Sequence, residues 1–227
     1  MIAIGKIKDD IYTIGKSMVN CSNDCETICN DPANGVLPRC LFFDMRNKDV
    51  RNGCVIVGIN PGKSAQHSYE RNFYLERGNT YDSQLELWFT GKKAKYYQFL
   101  EDFTTVAGWH GPILWTELVK CECSFDAITP SLQTSRICTK KYLSDELKKI
   151  PKEWPLLAIG RETHKALAYL YPERSVLGVP HPTSSRGQFA NLFSDTKRKV
   201  FTDDVEKQLN KFKVSTGIEH WLFQPKQ

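Results

Sequence analysis

Short apolar runs alternate along the chain with segments that have helical spacing. The run Cys54–Gly58 is rich in β-branched residues and leads into Ile-Asn-Pro-Gly, which is typical of a buried parallel strand that feeds a loop. The apolar runs Pro112–Val119, Pro155–Gly160 and Val176–Val179 predict three further strands. We therefore expect a parallel sheet built from these runs.

Four segments between or after the predicted strands have helical spacing. They are Tyr96–Val106, Leu132–Ile150, Arg161–Leu170 and Val200–Phe212. Thr129 is the expected N-cap of the second helix, and Pro130 its first helical residue. Alternating strands and helices predict an α/β fold, with a single three-layer α/β/α domain over residues 1–227 and a central, mostly parallel, four-stranded sheet. Residues 1–50 are expected to form an N-terminal extension.

Composition excludes several classes of protein. The chain has 227 residues, of which 41% are hydrophobic, with a net charge of +5. This is enough apolar material for a packed core, so intrinsic disorder and fibrous structure are excluded. No apolar run approaches the roughly 18 residues of a membrane span, and charged residues interrupt the first sixteen positions. We expect a cytoplasmic monomer with no membrane partner.

Polar loops follow three of the predicted strands, namely Gly58–Lys63, Thr116-Glu117 and His181–Arg186. In open parallel sheets the ligand crevice lies beyond the carboxyl ends of the strands. Asn60 can orient a water molecule or a base edge, because its amide both donates and accepts. His181 lies between two prolines, which stiffen its backbone. The alternative is that Asn-Pro-Gly is only a turn and His181 only structural.

The segment after His181 suits a loop that grips phosphates, because it combines small hydroxyls with one arginine in Thr183, Ser184, Ser185 and Arg186. Further basic residues could trace a phosphate path, although a solvated surface would show the same composition. They are Lys63, Lys92, Lys93, Lys95, Lys197, Arg198 and Lys199.

The eight cysteines are clustered. Cys21, Cys25 and Cys29 are spaced four apart in a polar segment, and Cys121 precedes Cys138 by seventeen positions. Two of the first set with the second pair would form a four-cysteine site for zinc or an iron–sulfur cluster. The alternative is reduced, buried thiols that pack as small apolar residues. That alternative suits Cys54 and Cys40 better than the first set.

Taken in order, these motifs resemble the uracil-DNA glycosylase superfamily, and in particular its iron–sulfur branch, from about Cys25 to Phe193. Gly58–Gly62 is similar to the first superfamily motif and Gly178–Thr183 to the second. Leu118–Cys121, Thr129-Pro130 and Cys138 are similar to the segment that supplies two cluster ligands. The resemblance implies a monofunctional DNA glycosylase that removes uracil, or a related deaminated base, from DNA and so initiates base-excision repair.

The resemblance also implies residue roles. Asn60 would orient or activate the attacking water, His181 would bind the uracil O2, and Phe73 would stack on the flipped base. The backbone of Gly58 and Ile59 would contact the base edge, and the loop from Thr183 to Gln188 would follow the DNA strand.

The same resemblance implies a 4Fe-4S cluster, with zinc as the alternative. For its ligands we predict Cys25 and Cys29 with Cys121 and Cys138, because the pair nearer the first motif leaves the shorter connection. Cys21 is the first reserve.

Two positions depart from the superfamily pattern. Iron–sulfur members often carry an acidic residue where this chain has Asn60. Glu117 stands where Asn commonly reads the imide edge of uracil. A carboxylate accepts from uracil N3–H but repels O4 unless it is protonated, so the base preference stays open. Lys63 leaves lyase chemistry open.

Two other functions fit the same residues. One is a nucleic-acid-binding module of this fold that has lost catalysis, for which Glu117 is the best argument. The other is a zinc-stabilised hydrolase of small molecules in which His181 acts as general base.

Overall fold

A computed structural model describes residues 4–46, 50–63, 68–124, 126–183, 187–195, 197 and 199–223. The fold is mixed α/β with a central, mostly parallel sheet, as predicted, and is consistent with a three-layer α/β/α arrangement. Among the described helices, none combines the length and hydropathy that crossing a membrane requires.

The central sheet has six strands in the order β10-β7-β6-β3-β4-β2, and two separate ribbons pair β1 with β5 and β8 with β9. The strands are β1 Ile28–Cys29, β2 Phe42–Asp44, β3 Cys54–Gly58, β4 Ile113–Glu117, β5 Glu122–Cys123, β6 Leu156–Ile159, β7 Val176–Val179, β8 Phe193–Asp195, β9 Val200–Phe201 and β10 Glu219–Trp221.

The four predicted strands are β3, β4, β6 and β7, which form the middle of the sheet. Every residue of these four strands is buried, and β3, β6 and β7 pair in parallel. The sheet exceeds the predicted four strands because β2 and β10 add to its edges. Each edge strand has only three residues, which is too short for a readable hydrophobic period.

The helices are α1 Ile4–Val19, α2 Ser68–Arg77, α3 Tyr81–Thr90, α4 Lys95–Val106, α5 Leu132–Cys138, α6 Ser144–Lys149, α7 Arg161–Leu170 and α8 Asp203–Lys213. A π-helical turn, Thr139–Leu143, joins α5 to α6.

The predicted helices are present, and the boundaries of three of them differ. Helix α7 matches its prediction, α4 begins one residue earlier at Lys95, and the predicted helix Leu132–Ile150 is α5, the π turn and α6 together, which end at Lys149. The predictions of Thr129 as N-cap and Pro130 as first helical residue were wrong. The helix begins at Leu132, and the Oγ of its N-cap Ser131 accepts from the backbone N of Thr134 at 3.1 Å. The last helix begins at Asp203, since Thr202 is its N-cap, and Val200 belongs instead to β9.

Contacts divide the chain into two compact units. The first unit consists of Met1–Phe43, Gly58–Lys92 and Leu114–Pro151, and the second of Asp44–Val57, Lys93–Ile113 and Lys152–Gln227.

Helix α1 is a core element of the first unit, where it packs on α3 and α6. Its residues Ile7, Ile11 and Met18 are buried at helical spacing. Gly15 lies so close to the ring of Tyr81 that a Cβ there would be 2.3 Å from it. Much of the predicted N-terminal extension is therefore part of the core of this unit.

An aromatic cluster forms much of the core of the second unit. The ring of Phe103 lies 5.9 Å from Phe189 and 5.3 Å from Phe201. Trp109 contacts both Phe103 and Phe212. These rings join α4 and α8 to the chain that follows β7.

Candidate functional site

The loop Gly58–Gly62 belongs to the first unit and begins at the carboxyl end of β3. The backbone N of Leu118 donates to the O of Gly58 at 2.9 Å, and that of Val119 donates to the O of Ile59 at 3.0 Å. These bonds continue the pairing of the two chain segments past the end of β4. The loop therefore leaves the sheet with a fixed backbone.

Arg39 holds the far end of the same loop. Its side chain is buried, with the residue 4% exposed, and its guanidinium donates to the O of Gly62 and to Oε2 of Glu122, the latter at 3.0 Å. The Arg39 backbone N donates to the O of Lys120 at 2.7 Å. One buried cation thus ties the loop to β5.

Asn60 lies at the centre of this loop and is half-buried. Its Nδ2 donates to the O of Pro61 at 3.0 Å and to Sγ of Cys123 at 3.4 Å. A carbonyl oxygen can only accept, so the atom facing Pro61 is the amide nitrogen. Oδ1 is the other end of this amide, an acceptor that a ligand or a water molecule could use.

Glu117 ends β4 with its carboxyl group against Gly58. A Cβ on Gly58 would lie 2.0 Å from Oε2 of Glu117. Glu117 is 7% exposed, and its Oε2 has no hydrogen-bond partner among the described residues. Burial raises the pKa of this carboxyl to about 8, although Lys120 and Arg39 act to lower it. At neutral pH the group is therefore mostly protonated and can donate as well as accept.

A buried ion pair lies behind Glu117. Lys120 and Glu146 are both 0% exposed, with Lys120 Nζ 3.0 Å from Oε2 of Glu146. The same Nζ donates to the backbone O of Glu117 at 2.8 Å, and Thr116 Oγ1 donates to Glu146 at 2.6 Å. This network joins the end of β4 to α6.

Four cysteines line one small cavity in the first unit. The cavity is lined by Cys21, Asn23, Cys25, Ile28, Pro38, Val119, Lys120, Cys121, Thr134, Ile137, Cys138 and Tyr142. Burial raises the pKa of the Cys121 thiol, and the neighbouring thiols of Cys138, Cys21 and Cys25 raise it further. The structure thus brings together three of the four predicted ligands and the reserve, Cys21.

The fourth predicted ligand, Cys29, does not line this cavity. Burial raises the pKa of its thiol, and the nearby carboxylates of Glu122 and Asp31 contribute in the same direction. Cys40 is also outside the cavity lining. Cys54 is fully buried within β3, as expected for a thiol that packs as an apolar residue.

Hydrogen-bond donors reach the sulfur atoms of the cavity. The backbone N of Lys120 donates to Sγ of Cys138 at 3.3 Å, and Lys141 Nζ lies 3.5 Å from Sγ of Cys21. Such donors stabilise the thiolate that binds metal. Four sulfur donors in a cavity suit zinc or an iron–sulfur cluster rather than a hard cation.

Within the described ranges, however, no three or more His, Cys, Asp or Glu side chains are placed so that they could hold a metal ion.

His181 follows β7 in the second unit and is half-buried. Its Nδ1 lies 3.3 Å from the backbone N of Thr183, an N–H group that can only donate. Nδ1 is therefore the acceptor, and the neutral ring carries its proton on Nε2. Burial lowers the pKa of His181, which favours this neutral form. The ring of Tyr96 packs beside it at 5.1 Å.

The remaining predicted site residues are placed as follows. Phe73 lies on α2, half-buried, with its ring near Tyr69 and Tyr74. Lys63 lies near Cys123, where its charge lowers the pKa of the thiol against a larger effect of burial. Thr183 is exposed. Ser184, Ser185 and Arg186 lie outside the described residues, as does Arg198.

Part of the predicted phosphate path is engaged in ion pairs. Lys93 pairs with Asp44 at 3.5 Å and with Glu101, and Lys199 pairs with Asp102 at 2.6 Å. These two lysines are therefore less available to phosphates than the sequence suggests.

Comparison with protein-family models finds no family that matches the chain, and comparison with curated proteins finds no match. A functional assignment therefore depends on the residues themselves.

Proposed function

We propose that this protein is a DNA glycosylase that hydrolyses the bond between a deaminated base, uracil first of all, and its deoxyribose. The observation that carries the proposal is the orientation of Asn60. Its amide nitrogen is engaged by Pro61 and Cys123, on a loop that backbone bonds and Arg39 fix at both ends. This leaves an oriented amide oxygen beside a glycine-lined strand end, as the activation of a water molecule requires.

In the proposed reaction, water attacks C1′ of the deoxyribose as the C1′–N1 bond breaks. The electron pair of that bond leaves with the uracil, and the proton of the attacking water is released. Oδ1 of Asn60 accepts a hydrogen bond from the water and orients it. In the second unit, the Nε2–H of His181 is a donor of the kind that stabilises negative charge developing on uracil O2. The Thr183 contact supports this role because it selects the required tautomer.

Glu117 adds base recognition to the proposal. A protonated carboxyl group offers one donor and one acceptor, which matches the N3–H and O4 edge of uracil. An ionised carboxylate would repel O4 instead. Burial of Glu117 raises its pKa to about 8, which supports the protonated form at neutral pH.

We further propose a structural sulfur-ligated centre, a 4Fe-4S cluster with zinc as the alternative, at Cys21, Cys25, Cys121 and Cys138. All four line one cavity. Among the described residues they are not placed to hold a metal ion as they stand, so binding would draw the four sulfurs together, as expected where metal binding is coupled to folding. Such a centre would link the segment after α1 to the chain between β4 and β5. No chemical step of the proposed reaction passes through it.

The test is base release from labelled oligonucleotides that carry one uracil, either single-stranded or opposite guanine or adenine. Asn60→Ala and His181→Ala should each lower release by about 100-fold or more. Asn210→Ala and His110→Ala are matched controls, because both residues are exposed, and these variants should retain wild-type rates.

The same assay separates the alternatives. Release of hypoxanthine but not uracil would keep the glycosylase function and make hypoxanthine, another deaminated base, the substrate. Tight DNA binding without release of any base would favour the non-catalytic module and overturn the proposed activity. An iron–sulfur protein absorbs near 400 nm, whereas a zinc protein does not, so the absorption spectrum separates the two metals.

A further inference from the structure

The catalytic role proposed for Asn60 depends on which end of its amide faces the reactants. An Asn side chain can turn over about its last bond and exchange its oxygen for its nitrogen. Only the oxygen can accept a hydrogen bond from water. Some group must therefore select one orientation, and two acceptors contact Nδ2, the O of Pro61 at 3.0 Å and Sγ of Cys123 at 3.4 Å.

Pro61 alone is a weak selector, because it is the next residue in the chain and fixes the amide only relative to its own loop. Cys123 is anchored independently. It lies in β5, where it pairs with Ile28 of β1, and the following backbone N, of Ser124, donates to the O of Thr27 at 3.0 Å. Cys123 is 3% exposed, so its sulfur has a fixed position relative to β5.

We propose that Cys123 is a positioning residue whose sulfur holds the amide nitrogen of Asn60 and so directs Oδ1 toward the attacking water. This inference rests on the proposed glycosylase function. Strand β5 would then connect Asn60 to the cysteine cavity, because the strand begins one residue after Cys121, which lines that cavity. A sulfur-ligated centre that orders Cys121 would support Cys123, and through it Asn60.

The test compares Cys123→Ala with Cys123→Ser in the uracil-release assay. Alanine removes the acceptor, whereas serine keeps one on a shorter bond. We expect Cys123→Ala to lower kcat about tenfold, the value of one hydrogen bond, with KM within about twofold of wild type. Cys123→Ser should recover most of the loss. Cys54→Ala is the matched control, because it removes a fully buried sulfur from β3 and should leave kcat unchanged.

A second readout does not depend on activity. The side-chain amide protons of Asn60 can be identified in a nitrogen–proton correlation spectrum by their loss in Asn60→Ala. Cys123→Ala should shift one of these two signals, and Cys54→Ala should shift neither.

The results separate the inference from the proposed function. If wild-type protein releases uracil but Cys123→Ala has wild-type kcat, or Cys123→Ser fails to recover, the inference is overturned and the glycosylase function stands. If no base is released, the proposed function fails. The spectrum then tests the contact between Asn60 Nδ2 and Cys123 Sγ by itself. Unchanged Asn60 signals in Cys123→Ala would overturn the positioning role of Cys123.

Discussion

The carboxyl group of Glu117 occupies the space that a side chain on Gly58 would need. A Cβ on Gly58 would meet Oε2 of Glu117 at 2.0 Å, and Glu117 is almost completely buried. Two adjacent strand ends therefore constrain each other. Gly58 is required for close approach, and Glu117 is held where the Asn60 loop begins.

Replacing Gly58 by alanine should destabilise the protein by about 1 to 3 kcal/mol, because the buried carboxyl must move to admit the methyl group. The free energy of unfolding can be measured with urea. Gly5→Ala is the control, since a Cβ there has nothing within 4 Å. The double variant Gly58→Ala with Glu117→Ala should be less destabilised than the sum of the two single changes. Additive effects would contradict the contact.

Stability should depend on pH through Glu117. Its pKa is about 8 in the folded protein against an ordinary value of 4.5, so the folded state binds more protons between these values. The contribution is complete below about pH 4.5 and is lost as pH rises through about 8, at up to about 1.4 kcal/mol per pH unit. Glu117→Gln, which cannot ionise, should lack this slope. An equal slope in both proteins, measured by urea unfolding from pH 5 to 8, would refute the assignment.

The four central strands could be predicted because each is a continuous, fully buried apolar run, and helices α4 and α7 because their apolar residues recur at helical spacing. Helix α1 was not predicted. Its first turns carry four charged residues, and its buried residues recur only about once per turn, so its apolar face is narrow. The charged residues are Lys6, Lys8, Asp9 and Asp10. The edge strands β2 and β10 are too short to carry a period. Pairing with a neighbouring strand, rather than local sequence, determines them.

The cysteine cavity leads to a direct comparison of Cys21 with Cys29. Cys21→Ser should abolish the absorbance near 400 nm, or the bound zinc, of anaerobically purified protein and lower its stability. Cys29→Ser should retain both, because Cys29 does not line the cavity. The metal content and the absorbance of the two variants show whether Cys21 or Cys29 is the ligand. Loss of metal in Cys29→Ser with retention in Cys21→Ser would support instead the ligand set expected from the sequence, which includes Cys29.

The buried pair of Lys120 and Glu146 should be costly to break. Lys120→Met leaves an unpaired carboxylate that is 0% exposed, which should cost about 3 to 5 kcal/mol of unfolding free energy. Adding Glu146→Leu should recover part of that loss. Lys148→Met, which removes the exposed pair with Asp145, should change stability by no more than about 0.5 kcal/mol. Equal effects of the two lysine changes in urea unfolding would contradict the buried network.

The candidate site was only partly predictable. Asn60, Glu117 and His181 follow strands, so the general rule for parallel sheets points to them. The antiparallel pairing of β1 with β5 helps to position Cys123 beside Asn60. No local sequence pattern indicates this pairing, because each strand has only two residues. Arg39 is distant in sequence from Gly62 and Glu122, to which it donates. For the buried ion pair of Lys120 with Glu146, the sequence signal is the position of Lys120 inside the apolar segment Leu118–Cys121.

A single-turnover measurement of free base tests the proposed glycosylase activity most directly. Protein in excess over an oligonucleotide with one uracil is quenched over time, and released uracil is quantified by mass spectrometry. We expect one free uracil and one abasic site per oligonucleotide, with release slowed about 100-fold or more in Asn60→Ala. No free base from the wild-type protein, or equal release by Asn60→Ala, would contradict this expectation.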